Sequence, residues 1–318
     1  MKLLTKPQKI LDLLIIGAGM AGLTAGIYAA RMKLDTLILE DQLIGGQIID
    51  AYGIENYPGF HSIKGSHLIE KIEEQTLHSG AKIDEFDRII SVKLTDAEKT
   101  IETQSAIYKP KAVIIAAGMD RRKLPVVEEK HFRGKGIHYC ELCDGHLYQG
   151  KTIAVVGGGN AAVDAANFLN KYAKKIYMIH RSAGLTASTL PQEKLRNNPK
   201  VEFLFNTNIL KASGAFSLES VVLEDLLTKK QRILPLDGIF VNIGVVPKTE
   251  LYQNDIELDA ALHIKAGETC ETNIKGVFAA GDIRTKLIRQ LTTAAADGTV
   301  AALLAEKYIT QKERGNKV

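Results

Sequence analysis

The 318-residue chain contains no tryptophan, eight prolines and only three cysteines. Three cysteines cannot staple a secreted disulfide scaffold. Two of them form a close pair, which fits a reducing compartment with a working thiol pair, so a soluble cytoplasmic protein is expected. No apolar run reaches 18 residues, so no membrane span is expected. The lysine-bearing start, residues 1–12, lacks the apolar core of a signal peptide. Charge bias is missing too: Lys+Arg 41 against Asp+Glu 37 leaves +4, scattered along the chain, with no electrostatic footprint for nucleic acid. At 45% hydrophobic and 25% charged, the composition excludes a disordered or collagen-like chain. At roughly 150 residues per domain, the length suggests two domains.

The chain does contain an internal repeat. Residues 13–31 read LLIIGAGMAGLTAGIYAAR, and residues 153–171 read IAVVGGGNAAVDAANFLNK. Each is a buried-type apolar run, a glycine cluster and an alanine-rich amphipathic stretch, which predicts strand, tight turn and helix. A second apolar run follows each copy, at residues 36–39 and 176–179. Strands alternating with helices imply parallel βαβ units. The fold class expected is therefore α/β, with two Rossmann-like dinucleotide-binding domains. Further strands are expected at residues 112–118 and 238–247, and residues 276–298 match neither repeat. The simplest layout inserts the second domain, residues 120–247, into a discontinuous first domain of residues 1–119 and 248–318. The final stretch, QKERGNKV, is expected to be a frayed tail.

Gly17, Gly19 and Gly22 give G-x-G-x-x-G between a strand and a helix. The first glycine permits the turn, the second admits a pyrophosphate, and the third lets helix and strand pack closely. The helix N-terminus then turns its unpaired N–H groups to the phosphates. Glu40 ends the next strand and is placed to accept hydrogen bonds from a ribose diol. Gly157, Gly159 and Ala162 repeat the pattern, but the strand after them ends His180-Arg181-Ser182, with no acid for a ribose and one arginine for a 2′-phosphate. That leaves two readings of the second domain: a nucleotide site, or a dinucleotide-shaped domain that no longer binds the usual cofactor.

Cys140-Glu141-Leu142-Cys143-Asp144 lies just before the second fingerprint. Two thiols at this spacing on a helical turn can close a small disulfide ring, and a lowered pKa at one supplies the thiolate that exchange requires. Asp144 is placed to give or take the proton. The alternatives are half a zinc site or two structural thiols. Tetrahedral zinc takes four ligands and Cys270 stands apart, so no metal site is assigned. His138 and His180, each beside an apolar strand, are read as hydrogen-bonded structure without a catalytic role.

Taken together, these motifs resemble the low-molecular-weight thioredoxin reductases over nearly the whole chain. Besides GAGMAG, the chain carries GGQ at 45–47, ENYPG at 55–59, AAG at 116–118, CELCDG at 140–145, GVFAAGD at 276–282 and RQLTTAAADG at 289–298. The resemblance implies FAD bound by Gly17, Gly19, Gly22, Glu40, Gly46, Gln47, Asn56, Gly118, Gly281, Asp282, Arg289 and Gln290. It implies that Cys143 faces the flavin, that Cys140 attacks the disulfide of thioredoxin or a thioredoxin-like protein, and that Asp144 handles the proton. A homodimer is implied as well.

The chain departs from the family at the second site, formed by Gly157, Gly159, Ala162 and Arg181. Members that use NADPH carry H-R-R-x-x-x-R; here Ser182 and Thr186 replace two of the three arginines. Charge-assisted contacts of roughly 1.5–3 kcal/mol each make that a loss of about 3–6 kcal/mol, or ~10²–10⁴ in affinity. The sequence therefore disfavours NADPH, and NADH lacks a carboxylate for its ribose. Reduced ferredoxin is the favoured donor, and a second FAD in the second site is the other family variant. Ala296-Asp297 also stands where the pattern has a glycine and a small residue. Competing readings are an NAD(P)H-dependent reductase, a flavin dithiol oxidase of a small molecule and a redox-sensing flavoprotein; an intact Cys-x-x-Cys-Asp argues against the last.

Overall fold

The computed structural model describes residues 6–49, 51 and 53–315. The chain forms two compact units, one holding residues up to Asp120 and from Val246 onward, the other Arg121–Val245. Each is an α/β unit built on a parallel sheet, and the second is inserted into the first.

In the first unit the parallel strands run in the order Lys82–Glu85, Thr36–Glu40, Gln8–Ile16, Ile107–Ile115, Val277–Ala279. Side chains alternate across a strand, so the run Leu13-Leu14-Ile15-Ile16 feeds two cores. Leu13 and Ile15 pack under the helices Met20–Arg31, Gly65–His78 and Leu291–Gly315, while Leu14 and Ile16 pack with Tyr252, Ile256, Ile264 and Ile283 on the other face. Burial on both faces is why these strands read as continuous apolar runs. The first strand begins at Gln8, five residues before its apolar stretch. Gln8, Lys9 and Ile10 are exposed yet pair in register with Ile107, Tyr108 and Lys109, so backbone bonding extends a strand that its side chains do not announce. An antiparallel pair, Ile89–Leu94 and Lys99–Thr103, adds to the amino-terminal half of Ile107–Ile115.

The second unit repeats the plan, in the order Val201–Leu204, Lys175–Ile179, Thr152–Val156, Gly238–Val241, Ile137–His138. A three-stranded antiparallel sheet, Thr207–Ser213, Ser220–Asp225 and Gln231–Pro235, packs into its core through Ile209, Val221 and Leu234. The expected single strand at residues 238–247 is two, Gly238–Val241 and Val245–Pro247, broken at Gly244 with φ +100°. The expected frayed tail is a correction as well. The helix Leu291–Gly315 runs through Gln311–Gly315, while residues 316–318 lie outside the described residues.

Candidate active site

Both fingerprints fold as strand, turn and helix. Gly17 has φ +105°, and a Cβ there would stand 2.4 Å from the Ala116 carbonyl oxygen; a Cβ on Gly22 would stand 1.8 Å from the Gly17 carbonyl oxygen. Gly19, by contrast, opens onto free space. The turn is therefore closed toward its own sheet and helix and open where a pyrophosphate would approach. Glu40 Oε2 accepts from the Ala18 N–H at 2.8 Å and Oε1 from the Gln42 N–H at 3.0 Å. Burial raises the Glu40 carboxyl above its ordinary range, and these two N–H bonds pull it back. An ionised carboxylate has about four acceptor positions, so both oxygens keep capacity for a ligand. Beside them lies a cavity of about 330 Å³, lined by Gly17, Glu40, Asp87, Lys248 and Tyr252 among others, at the carboxyl ends of the strands. Asp87 is far in sequence from Lys248 and Tyr252, and none of the three carries a motif that would have shown it.

The other sites of the first unit assemble in pairs. Gln47 Nε2 donates to the Met119 carbonyl at 2.8 Å, next to Gly118 with φ +67°. Gly46, also left-handed, opens the short turn Gly46–Ile48. Asn56 Nδ2 donates to Gln290 Oε1 at 3.2 Å across 234 positions, and Arg289 Nε reaches the Asp282 carbonyl at 3.5 Å. Gly281 N–H donates to Asp297 Oδ2 at 3.0 Å. Asp297 is a clamp that the sequence did not reveal: Arg284 grips both of its oxygens, at 2.9 and 2.6 Å, and Lys286 adds a third bond at 2.8 Å. Cys270, buried, donates from Sγ to the Asp297 carbonyl at 3.6 Å. Asp282 differs from all of these. Its Oδ1 is buried with no hydrogen-bond partner, and burial raises its carboxyl above the usual range. An acceptor without a donor, close to an open fingerprint turn, fits a cofactor that supplies hydroxyl groups.

In the second unit, Cys140 caps the short helix Glu141–Asp144, its Sγ accepting from the Cys143 N–H at 3.1 Å. The two cysteines are joined as a disulfide. Asp144, one-third exposed, receives His138 Nδ1 at 3.0 Å. Gly157 has φ +141°, and a Cβ there would meet the Asn242 carbonyl oxygen at 2.1 Å, while Ala162 is buried under the sheet. Arg181 is exposed, and the loop after it folds back: Thr186 N–H donates to the Gly158 carbonyl at 2.7 Å, and Ser188 N–H to Asn160 Oδ1 at 2.7 Å. His180 lies against Gly158, its Nε2 buried without a partner, as is Asn242 Nδ2. Among the described residues no group of three or more His, Cys, Asp or Glu is placed to hold a metal.

Residues 11–298 match the family model of the pyridine nucleotide-disulphide oxidoreductases. The chain is 53% identical over 307 residues to a 34.2 kDa protein in a rubredoxin operon of Clostridium pasteurianum, covering 96% of this chain and 100% of that one. It is 41% identical to a thioredoxin reductase of Peptoclostridium acidaminophilum, covering 95% and 98%. A thioredoxin reductase from Lactococcus lactis superposes with a TM-score of 0.88 at 33% identity, covering 95% and 99%. A ferredoxin-flavin thioredoxin reductase from Clostridium acetobutylicum does so with a TM-score of 0.53 at 30% identity, again covering 95% and 99%. The chain belongs to the pyridine nucleotide-disulphide oxidoreductases and, within them, to the thioredoxin reductase family of low molecular weight. Membership makes it an oxidoreductase acting on a disulfide and implies FAD as cofactor.

Proposed function

We propose that the protein reduces the disulfide of thioredoxin or a thioredoxin-like protein, drawing electrons from reduced ferredoxin rather than from NADPH. The observation that carries the first half is the Cys140–Cys143 disulfide at the head of a helical turn with Asp144 anchored beside it. FAD fits the first unit. Gly17, Gly19 and Gly22 would hold its pyrophosphate and Glu40 its ribose. Gly46, Gln47, Asn56, Gly118, Gly281, Asp282, Arg289 and Gln290 would hold the flavin and its ribityl chain, with Asp282 Oδ1 taking a hydroxyl donor. Bound FAD supplies two-electron chemistry that opens the disulfide.

The reduced pair does the rest. The Cys140 thiolate attacks one sulfur of the partner disulfide, breaking that bond and forming a mixed disulfide, while Asp144 gives a proton to the departing sulfur. Cys143 then yields its proton to the Asp144 carboxylate and attacks Cys140 Sγ, releasing the second partner thiol, which takes up a proton, and closing the Cys140–Cys143 bond. The partner gains two electrons and two protons, and the enzyme dithiol gives up the same.

For the donor, the support is Arg181, alone where NADPH-using relatives carry three arginines, and the likeness to a ferredoxin-flavin thioredoxin reductase. The unpartnered Asn242 Nδ2 beside Gly157 favours a second reading, a nucleotide such as a second FAD in the second unit. The family resemblance supports a homodimer, and the working thiol pair a cytoplasmic setting. Anaerobic mixing of the oxidised holoenzyme with NADPH, NADH and reduced ferredoxin, followed by flavin bleaching, tests the donor. Fast bleaching is expected with ferredoxin alone; saturable bleaching by micromolar NADPH would overturn the assignment, and two FAD per chain would favour the second reading.

A further inference from the structure

Behind Asp144 lies a polar chain that runs into the core. His138 is buried, at 3% exposure, where the edge strand Ile137–His138 ends two residues before Cys140. Its Nδ1 lies 3.0 Å from Asp144 Oδ2, and its Nε2 lies 2.6 Å from the hydroxyl of Tyr148, itself 5% exposed. The ring is stacked on Phe240, with centroids 5.4 Å apart at 26°, and Tyr148 meets both rings edge-on. Gly238, on the strand beside His138, makes the room: a Cβ there would come within 2.2 Å of the Tyr148 ring. Two aromatic rings, Phe240 and Tyr148, thus pack against the imidazole, the second of them seated over Gly238, while Nδ1 faces Asp144.

We infer that His138 is a positioning residue for the exchange reaction: its Nδ1–H holds the Asp144 carboxyl beside the cysteine pair, and Tyr148 sets which nitrogen carries that proton. Burial pushes the Tyr148 phenol up to about 12, with Asp144 and Asp237 adding to it, so at neutral pH the hydroxyl keeps its proton and donates to Nε2. The other nitrogen must then be the donor. Burial also pushes His138 below its ordinary range, against the pull of Asp144, which keeps the ring neutral. Asp144 ends a helix of only four residues and is one-third exposed, so without this bond its side chain would be free to turn to water.

The inference rests on Asp144 as the proton donor and acceptor, and the test separates the two. The amide of asparagine, on the same δ position, reproduces Nδ1–H; glutamine places its amide one atom farther, toward Tyr148. Chemically pre-reduced holoenzymes carrying His138→Asn and His138→Gln would be mixed with oxidised thioredoxin, with a dialkyl disulfide and with the aromatic disulfide of thionitrobenzoate. The aromatic leaving thiol is acidic and departs without a proton. With thioredoxin and the dialkyl disulfide, His138→Gln is expected to slow exchange by about tenfold or more, and His138→Asn to stay within about threefold of wild type. All three proteins should attack the aromatic disulfide at similar rates. Equal loss in both variants, loss extending to the aromatic probe, or no loss in either would overturn the role. Wild-type enzyme that exchanges with the dialkyl disulfide but is inert to thioredoxin would instead overturn the partner, leaving the His138 comparison to be read on the dialkyl probe.

Discussion

A buried carboxylate oxygen with nothing to bond is a cost that a folded chain carries for a reason, and Asp282 Oδ1 is in that position. Desolvation raises its carboxyl, with Lys286 and Arg289 pulling the other way. A hydroxyl donor from a bound cofactor would relieve the first effect. A hydrogen bond to a charged acceptor contributes roughly 1.5–3 kcal/mol. Asp282→Ala is therefore expected to weaken FAD about 10- to 100-fold, read by equilibrium dialysis of the reconstituted protein; unchanged affinity would remove Asp282 from the cofactor site. Residue by residue, the fingerprints, the cysteines and Asp144 were readable because each sits in a short local motif. His138 and Asp297 were not, since what defines them is a partner brought close by the fold.

At the level of elements, Asp297 ties the helix Leu291–Gly315 to the segment that follows the strand Val277–Ala279. Burial alone would raise its carboxyl; bonds from Arg284 and Lys286 outweigh that and hold it below the usual carboxylate range. Removing the carboxylate would leave two buried cations uncompensated, so Asp297→Ala is expected to cost about 3–5 kcal/mol, measured by urea unfolding near neutral pH. The sign of the pH dependence follows from the lowered value. The stabilisation is present above the unfolded-state pKa of about 3.9 and disappears as pH falls through the lower folded-state value. The gap between wild type and variant should therefore hold at neutral pH and close in acid. A gap independent of pH would show that shape, and not charge, accounts for the loss.

For the whole molecule, the two units share one plan but differ in what their second strands present. The first ends at Glu40, whose carboxylate is wired into its fingerprint turn, and the second at His180 and an exposed Arg181. If the two absent arginines limit NADPH binding in the second unit, Ser182→Arg with Thr186→Arg should tighten NADPH by about 10²-fold or more, measured by calorimetry. Thr186 reaches the Gly158 carbonyl through its hydroxyl at 3.3 Å as well as through its backbone, and only the hydroxyl bond is lost in the variant. No gain in affinity would point to the shape of that loop as the obstacle.

The sequence alone determined the α/β class with two Rossmann-like units, the strand, turn and helix of each fingerprint, and the spacing that lets Cys140 and Cys143 join. Each of these depends on interactions within a few residues: apolar runs that demand burial, glycines that permit a turn, thiols one helical turn apart. Only the tertiary structure decided that Gln8–Lys9–Ile10 extends a strand, that Asp282 is left without a donor, and that Asp297 is held by two cations. It also decided that His138, bland as one histidine in an apolar setting, stands between Tyr148 and Asp144. In each case what decides is the set of neighbours that packing or backbone pairing supplies or withholds, and that leaves no pattern in the local sequence.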